Sequence, residues 1–475
     1  MFENLDKVID QFLQPVSDKV TNFVFTSVNI SGNGVPLVVV WLILASLFFT
    51  FYFKFINIRA FKTAINVALG KYDKPEHPGE ITHFQSFTAA MSGTIGLGNI
   101  AGVAVAISIG GPGAMFWMII MAFFGMTLKF VEVSLGHKYR KIYKDGTVSG
   151  GAIRYLSDGF KEIGFPKFGK LLAVFFAVCC IGGSFGGGNM FQANQAFQQI
   201  VIASGGEQSF LFDKGWLGGL VFAIIIGLII IGGIKSIGKV TEKLVPIMGI
   251  IYVISCLIII SMNYDLIPSS ILIIFKTAFQ VDSTIGGMIG VMIAGFKRAV
   301  FSNESGIGSA PIAYAAAKSD NHLNTGFMSL LSPFVDTILV CSMTAMVIII
   351  TGTYQDSNGI QGVELTSKAF QSAFDWFPAI LAVAITLFAL STLITWSYYG
   401  LRCWTYLFGQ NKKTIIFYKL IFLGFTIIGT SMNLSSVINF SDAMIFAMSV
   451  PNIIGLYFLA PKLIKDLENY KFHNE

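Results

Sequence analysis

Long apolar runs, separated by short polar connectors, follow one another along almost the whole chain. A helix needs about 20 apolar residues to cross the hydrocarbon core of a bilayer, and these runs are of that length. Membrane β-barrels show a different pattern, because their strands alternate apolar and polar residues in segments of about ten. The chain is therefore predicted to be an all-α membrane protein. Its eleven predicted transmembrane helices, named spans A to K, cover residues 35–53 (A), 84–108 (B), 113–135 (C), 170–200 (D), 216–233 (E), 240–262 (F), 284–317 (G), 326–350 (H), 377–400 (I), 414–433 (J) and 436–459 (K).

Spans B and G differ from the others, because glycine and polar residues interrupt their apolar runs. Span B contains the stretch SGTIGLGN at residues 92–99, named the first break, and span G contains SNESGIGS at residues 302–309, named the second break. Each interior glycine costs a helix about 1 kcal/mol relative to alanine, and polar groups that face lipid cost more. Both helices are therefore predicted to be discontinuous within the membrane.

The two breaks match each other and occupy equivalent positions in two five-span halves, B–F and G–K. Both follow the pattern Ser-x-x-x-Gly-[Leu/Ile]-Gly-[Asn/Ser], and span B crosses the membrane in the opposite direction to span G. This arrangement is typical of inverted-repeat transporters, although chance similarity or glycine-mediated helix packing is an alternative interpretation. The predicted division is an N-terminal segment outside the cytoplasm (1–34), an extra helix with a cytoplasmic loop (35–83), a first repeat (84–262), a second repeat with its preceding loop (263–459) and a cytoplasmic tail (460–475).

Composition and charge agree with a membrane protein and add an orientation. Of the 475 residues, 54% are hydrophobic and 12% are charged, and the mean hydropathy of +0.70 is outside the range of water-soluble domains. Basic residues concentrate on the cytoplasmic side of membrane proteins. This rule predicts a multi-pass protein of the bacterial inner membrane with its N-terminus outside and its C-terminus in the cytoplasm. The basic residues that then fall in outside segments are only Lys7, Lys19, Lys214, Lys276 and Lys368.

The placement of histidines and cysteines argues against membrane-embedded catalysis. All five histidines fall in predicted cytoplasmic segments, so none is expected to act inside the membrane as a haem ligand, a metal ligand or a general base. The five cysteines have no CxxC spacing and are interpreted as packing residues. The sequence has no GxxxxGK[ST] motif for ATP. It predicts a secondary transporter rather than an enzyme, with no cofactor, no nucleic-acid partner and no obligate protein partner.

The chemistry of a broken helix suits an amino acid. Unwinding a helix within the membrane exposes amide N–H groups at one helix end and carbonyl groups at the other. A carboxylate can accept hydrogen bonds from the amides, and a sodium ion or an ammonium group can bind the carbonyls. The predicted partners are therefore a small zwitterionic substrate, a coupling cation and the surrounding lipid bilayer.

Three long segments carry a family pattern: SGTIGLGNIAGVAVAISIGGPGAMFW at residues 92–117, FSNESGIGSAPIAYAAAK at 301–318 and LFALSTLITWSYYG at 387–400. Over about residues 35–460 the chain resembles the bacterial sodium:alanine (alanine or glycine:cation) symporter family. The resemblance implies the leucine-transporter-like core of the amino acid-polyamine-cation superfamily, a 5+5 inverted repeat, with span A as an extra N-terminal helix. It also implies import of alanine or glycine with sodium by alternating access. A proton-coupled or glutamine-selective transporter of the same fold is the alternative.

The resemblance also implies a substrate site between the two breaks. Glycine amides of the first break would face the substrate carboxylate, and the second break would face its ammonium group. Side chains of spans D and I would close the pocket, although a buried helix-to-helix hydrogen bond or core packing explains them equally well. The implied substrate residues are Thr94, Gly96, Gly98 and Asn99 in the first break, Phe301, Ser302 and Asn303 at the second break, Gln192 on span D and Trp396 on span I.

A sodium ion would lie between the first and eighth core helices, spans B and I. The implied ligands are the backbone carbonyls of Ser92 and Ile95 and the hydroxyls of Ser391 and Thr392. Hard oxygen ligands of this kind suit sodium. Sodium enters this picture as the coupling ion that is carried with the substrate.

Several charged residues lie within predicted spans, where an ionised group is costly unless it is paired or hydrated. Glu304 is either a partner of the cation or ammonium group, or a structural residue that pairs with Lys297, Arg298 or Lys129 or accepts backbone amides.

Two further interpretations stay open on spans C and H. Lys129 and Glu132 stand three residues apart on span C, so that they either pair on one helix face or serve a proton or gating role. Asp336 on span H is either a buried hydrogen-bond acceptor or a transport residue.

Overall fold

A computed structural model describes residues 5–30, 33–74, 76–280, 287–355 and 362–470 of the chain. Regular structure in these residues is helical apart from two short antiparallel hairpins. In one hairpin Ser27–Ile30 pairs with Asn33–Pro36, and in the other Lys141–Ile142 pairs with Val148–Ser149. The predicted all-α class is confirmed.

Helices coincide with the predicted spans. Seven single helices are long and apolar enough to cross a membrane, and the two halves of span B do so together as one bent pair. Two shorter apolar helices correspond to spans A and E. Seven or eight crossings therefore follow from length and composition, and the number of eleven stays a prediction. The bounds are Leu37–Tyr52 (A), His83–Thr94 and Leu97–Gly110 (B), Ala114–Lys138 (C), Pro166–Ala203 (D), Gly215–Ile230 (E), Gly233–Met262 (F), Gly287–Asn303 and Pro311–Tyr314 (G), His322–Ile350 (H), Phe377–Phe408 (I), Lys412–Ser431 (J) and Leu434–Glu468 (K).

Spans D and H each contain a π-helical turn, at Gly186–Met190 and Phe334–Cys341 respectively. A π-turn inserts one extra residue into a helix and is frequent at functional sites. Each of these turns lies beside one of the breaks, as the contacts below show.

Shorter helices connect the spans. The N-terminal helix Leu5–Val24 packs along span K, where the hydroxyls of Ser17 and Thr21 each donate a hydrogen bond of 3.1 Å to a backbone carbonyl. The connectors contain Ile56–Arg59 and Phe61–Ala68 between spans A and B, Ala152–Arg154, Tyr155–Gly159 and Phe160–Glu162 between C and D, Gly206–Gln208 between D and E, Tyr264–Leu266 and Ile267–Ala278 between F and G, and Val363–Gln371 between H and I.

The broken helices lie in the centre of the bundle. Spans C, D and K are 67%, 78% and 72% buried along their most apolar stretches, whereas spans F and J are only 33% buried. The outer spans expose large aliphatic side chains such as Leu228, Ile250 and Leu420, as expected for surfaces that face lipid. The polar stretches of spans B and G are buried instead, and this burial positions the candidate site.

Candidate functional site

Span B is broken at Gly96. The helix His83–Thr94 ends just before it, and its continuation Leu97–Gly110 is bent from it by 54°. Gly96 is extended, with φ −137° and ψ −152°, so the helical hydrogen bonds are interrupted there. The first predicted break is confirmed.

Two side-chain oxygens accept hydrogen bonds from the amides that the first break exposes. Asn99 Oδ1 accepts from the backbone N–H of Gly96 at 3.0 Å, and Gln192 Oε1 accepts from that of Leu97 at 2.9 Å. The Gln192 amide in turn donates to the Gly187 carbonyl in the π-turn of span D at 2.9 Å. Gln192 therefore connects the first break to span D.

Span G is broken between the helices Gly287–Asn303 and Pro311–Tyr314. The backbone between them is left-handed at Glu304 (φ 55°), Gly306 (φ 86°) and Gly308 (φ 83°). Glycine adopts this conformation without steric cost, whereas a residue with a Cβ is strained there. The second predicted break is confirmed as well.

The two breaks touch each other. A Cβ placed on Gly98 would lie 3.2 Å from Ser302 Cα and 3.5 Å from Phe301 Cδ1, so the two breaks pack closely at this glycine. Phe301, Ser302 and Asn303 are all buried. Thr94 is also buried, but its hydroxyl donates to a backbone carbonyl of its own helix, 3.2 Å away.

Asp336, in the π-turn of span H, links the two breaks from one side. Its Oδ1 accepts a hydrogen bond from Asn99 Nδ2 at 2.7 Å, and its Oδ2 accepts one from Ser302 Oγ at 2.8 Å. The neighbouring Thr337 accepts from Asn303 Nδ2 at 3.1 Å. Asp336 is therefore a buried acceptor at the site, one of the two roles that its sequence position left open.

Trp396 makes a second link between the two breaks. Its Nε1–H lies 3.2 Å from the Gly93 carbonyl and 2.9 Å from Glu304 Oε1. The other Glu304 oxygen accepts a hydrogen bond from the Ser309 hydroxyl. The indole packs tightly against span D, where a Cβ on Gly188 would lie 2.2 Å from Trp396 Cγ.

The residues expected to bind sodium join spans B and I. Thr392 Oγ1 donates to the Ser92 carbonyl at 2.9 Å, and Ser92 Oγ donates to the Ser391 carbonyl at 2.6 Å. The hydroxyls of Ser391 and Thr392 also lie 2.9 and 3.1 Å from the Phe388 carbonyl. The Phe388 carbonyl was missed by sequence reasoning. It could have been found, because serine and threonine hydroxyls in a helix commonly bond the carbonyl three or four residues earlier.

Ile95 lies next to this cluster. It is buried and directly precedes Gly96, whose added Cβ would lie 2.5 Å from Thr392 Oγ1. The groups gathered here are hydroxyl and carbonyl oxygens, which are hard ligands and suit a monovalent alkali cation.

The basic residues of span G have a partner other than Glu304. Lys297 Nζ lies 2.9 Å from a carboxylate oxygen of Asp442 on span K, and Arg298 contacts the same oxygen. The predicted ion pair of Glu304 with Lys297 or Arg298 is therefore wrong. Glu304 accepts hydrogen bonds from Trp396 and Ser309 instead.

Arg140, in the connector after span C, joins several segments at the predicted cytoplasmic end of the molecule. Its guanidinium donates to the carbonyls of Ala315 and Ala317, just after the short helix of span G, at 2.8 and 2.6 Å. It also reaches the carbonyls of Pro78 and Ser319, both at 2.7 Å. Burial lowers the pKa of Arg140 to about 10, so the group stays cationic at neutral pH.

A polar cavity of about 460 Å³ lies at the opposite end. It begins one helical turn beyond Gln192 on span D, at Gln195, whose side-chain oxygen accepts from the Val363 amide at 2.9 Å. This cavity therefore lies at the end of the molecule away from the Arg140 contacts. The lining residues are Asn194, Gln195, Gln198, Val363, Glu364, Met432, Asn433, Leu434 and Ser435.

Comparison with known proteins gives consistent matches along the chain. The model of the sodium:alanine symporter family matches residues 18–475. The sodium/alanine symporter AgcS of Methanococcus maripaludis is 38% identical over 438 residues, which cover 92% of this chain and 94% of that protein. The probable sodium/glutamine symporter GlnT of Bacillus subtilis is 31% identical, covering 91% and 87% of the two chains.

Among solved structures, MhsT in complex with L-phenylalanine matches with a TM-score of 0.59 over 81% of this chain and 89% of that one. Its sequence identity is 15%, so this match supports the leucine-transporter-like fold and nothing beyond the fold. The resemblance inferred from the sequence is confirmed by the family match. Since that match covers almost the entire chain and AgcS aligns along nearly all of it, the chain belongs to the sodium:alanine symporter family, whose members are transporters and not enzymes.

Proposed function

We propose that this protein imports alanine or glycine together with sodium, as a secondary active symporter that works by alternating access. The observation that carries the proposal is the meeting of two interrupted helices in the buried centre of the bundle, where Gly98 approaches Ser302. Peptide groups freed from helical hydrogen bonding are tolerated there only if they line a polar site. A zwitterion and a cation supply the charges that such a site lacks.

The substrate carboxylate would bind at the amides of the first break. In this structure Asn99 Oδ1 and Gln192 Oε1 accept hydrogen bonds from two of these amides. Each of these side-chain oxygens occupies a position that a carboxylate oxygen of the substrate could take. A bound substrate would replace one or both of them as the acceptor. The glycines at positions 96 and 98 let the substrate approach the backbone closely.

The ammonium group and the side chain would face the second break. Phe301, Ser302 and Asn303 end the first half of span G, and the Trp396 indole donates a hydrogen bond to Glu304, which follows them. Bulky rings beside the substrate would limit the size of its side chain, which favours alanine or glycine. A larger amide substrate is the alternative, since the probable sodium/glutamine symporter GlnT aligns with 91% of this chain.

Sodium would bind where spans B and I meet, at the carbonyls of Ser92, Ile95 and Phe388 and the hydroxyls of Ser391 and Thr392. The ion would replace the hydrogen bonds that now join the two spans, and its charge would draw them together. One charge that moves inward gains about 2.3 kcal/mol at 100 mV, and a tenfold sodium gradient adds about 1.4 kcal/mol. One ion can therefore sustain accumulation of roughly several hundredfold.

The proposed architecture places eleven helices in the inner membrane of a bacterium, with the N-terminus outside and the C-terminus in the cytoplasm. Residues 84–262 and 263–459 would form the two inverted repeats. Two features support this arrangement: the agreement of helix bounds with the predicted spans and the asymmetric placement of basic residues.

Counterflow in proteoliposomes tests the proposal. Vesicles loaded with unlabelled alanine, glycine, serine or glutamine are diluted into labelled alanine, in sodium or in potassium. We expect exchange with internal alanine or glycine in sodium and little exchange in potassium. Exchange that is equally fast in potassium would contradict sodium coupling, and preferential exchange with glutamine would favour the glutamine-selective alternative. Sodium-independent exchange that rises with acidity would favour proton coupling.

A further inference from the structure

One face of span C points at the second break. Gly125, Lys129 and Glu132 follow one another at helical spacing, so that they share that face. A Cβ on Gly125 would lie 3.0 Å from the side chain of Ser305, and a Cβ on Gly306 would lie 2.8 Å from Leu128. This face therefore packs against the second break.

Lys129 is a charged group sealed into this interface. Its side chain is 0% exposed, and its Nζ has no hydrogen-bond partner among the described residues. Three carboxylates, those of Glu132, Glu304 and Asp336, lie near enough to favour its charged form against the larger cost of burying it. An ammonium group in such a place is costly unless carboxylates compensate it.

The three carboxylates have neutral hydrogen-bond donors. Glu132 Oε1 accepts from Asn452 Nδ2 at 2.7 Å, and the same Asn452 amide donates to the Gly306 carbonyl at 2.9 Å. Asp336 and Glu304 accept from hydroxyl, amide and indole groups as described above. Glu132 Oε2 and Ser305 Oγ, both buried, have no hydrogen-bond partner in the described part of the chain.

The two basic residues of span G do not compensate this cluster, because Lys297 and Arg298 pair with Asp442. Lys129 therefore faces more than one buried carboxylate with a single positive charge. The charge that remains must be offset by mobile cations or by protons, since buried carboxylates without counter-charges are unstable.

We propose that Lys129 is a fixed counter-cation, which reduces by one the number of mobile cations that the transporter carries with each substrate molecule. This inference rests on the proposed function. Its ammonium group supplies, from span C, a charge next to the second break that a sodium ion or a proton would otherwise supply. A fixed cation stays in the membrane, whereas a mobile one is delivered with the substrate, so the two cases differ in the charge moved per cycle.

The test is the net charge moved per alanine in proteoliposomes. With equal sodium concentration and pH on both sides, it is obtained from the change in the zero-flux membrane potential, set by potassium and valinomycin, as the alanine gradient is varied. This measurement counts sodium ions and protons alike. The variants are Lys129→Met, which keeps the length of the side chain but removes its charge, Lys129→Arg, which keeps the charge, and Lys129→Met combined with Glu132→Gln, which removes one charge of each sign.

We expect Lys129→Met to move one elementary charge more per alanine than the wild type. Lys129→Arg and the double variant are expected to move the same charge as the wild type. If Lys129→Met moves the same net charge per alanine as the wild type, the inference is overturned, because the lysine charge then does not affect the number of cations carried.

The double variant decides the case in which Lys129→Met is inactive or does not fold. If the double variant takes up alanine with the wild-type net charge per alanine, charge compensation is supported. If it does not recover uptake, charge compensation is contradicted. Absence of sodium-driven alanine uptake by the wild type is a separate result, which would contradict the proposed function itself.

Discussion

At the scale of single residues, the site depends on glycines that allow close packing. A Cβ on Gly96 would lie 2.5 Å from Thr392 Oγ1 and 2.9 Å from Gln192 Oε1, and a Cβ on Gly188 would meet the Trp396 ring at 2.2 Å. These contacts join spans B, D and I at one point. The glycine-rich run of span D therefore permits Trp396 to reach the breaks.

Gly188→Ala is expected to displace Trp396. Overpacking of this kind costs about 1–3 kcal/mol, and we expect it to weaken alanine binding by roughly 5- to 100-fold. The measurement is sodium-dependent alanine binding by the purified protein. Gly424→Ala on span J is the control, since no atom lies within 4 Å of the added methyl group. Equal affinity of the two variants would contradict the account.

Trp396→Phe isolates the indole hydrogen bonds. The substitution removes the donor to Gly93 and Glu304, and loss of a hydrogen bond to a charged group costs about 1.5–3 kcal/mol. We expect the alanine concentration for half-maximal uptake to rise roughly 10- to 100-fold. Trp404→Phe on the same helix is the matched control, because its Nε1 has no hydrogen-bond partner in the described residues. Similar behaviour of the two variants would show that the indole donor is unimportant.

Residue roles were only partly predictable. The sequence indicated that Ser92 and Thr392 belong to one site, and the two are in contact although 300 positions separate them. It did not indicate the Phe388 carbonyl, because the habit of serine and threonine hydroxyls to bond carbonyls three or four residues back was not applied to Ser391 and Thr392. It also left Asp336 undecided, since its contacts with Asn99 and Ser302 depend on how distant helices pack.

At the scale of elements, both breaks were predictable because glycine and polar residues are poor helix formers in an apolar run. The π-turns at Gly186–Met190 and Phe334–Cys341 were not predicted. A π-turn changes the backbone register by one residue without a strong composition signal. The connector helices, such as Ile267–Ala278 and Val363–Gln371, were also missed, since they are too short for a search based on long apolar runs.

Arg140 gives an element-scale prediction, because one side chain holds four backbone carbonyls at the predicted cytoplasmic end. Arg140→Gln removes the charge and most of the donors, so this end should open more often. Ala317→Cys, a buried position, reports the opening through its rate of reaction with a membrane-impermeant maleimide. We expect at least a tenfold faster reaction in the Arg140→Gln background, equivalent to about 1.4 kcal/mol.

The control for this experiment is the protein without the introduced cysteine. All five native cysteines are buried and free, so background labelling should be slow with or without Arg140. Equal labelling rates of Ala317→Cys in the two backgrounds would contradict a closing role for Arg140.

At the scale of the whole molecule, Arg140 joins several segments at one end, a cavity of about 460 Å³ lies at the other, and the two interrupted helices are buried between them. Alternating access requires that each end can be closed in turn, and the cavity beside Gln195 marks the end that is less tightly packed in this state. The order of the spans and their approximate ends were predictable from apolar runs. The contacts of Arg140 could not be predicted in this way, because they join one side chain to backbone carbonyls of other segments.

The central claim is that sodium acts through the hydroxyls and carbonyls that join spans B and I. The most direct test is alanine uptake by proteoliposomes under an imposed sodium gradient, for the wild type and for Ser391→Ala combined with Thr392→Ala. A variant with Ser397→Ala and Thr405→Ala removes two other hydroxyls from the same helix, which bond only to their own helix, and serves as the control. We predict sodium-driven accumulation by the wild type and the control and none by the Ser391 and Thr392 variant. Undiminished sodium stimulation in that variant would contradict the account.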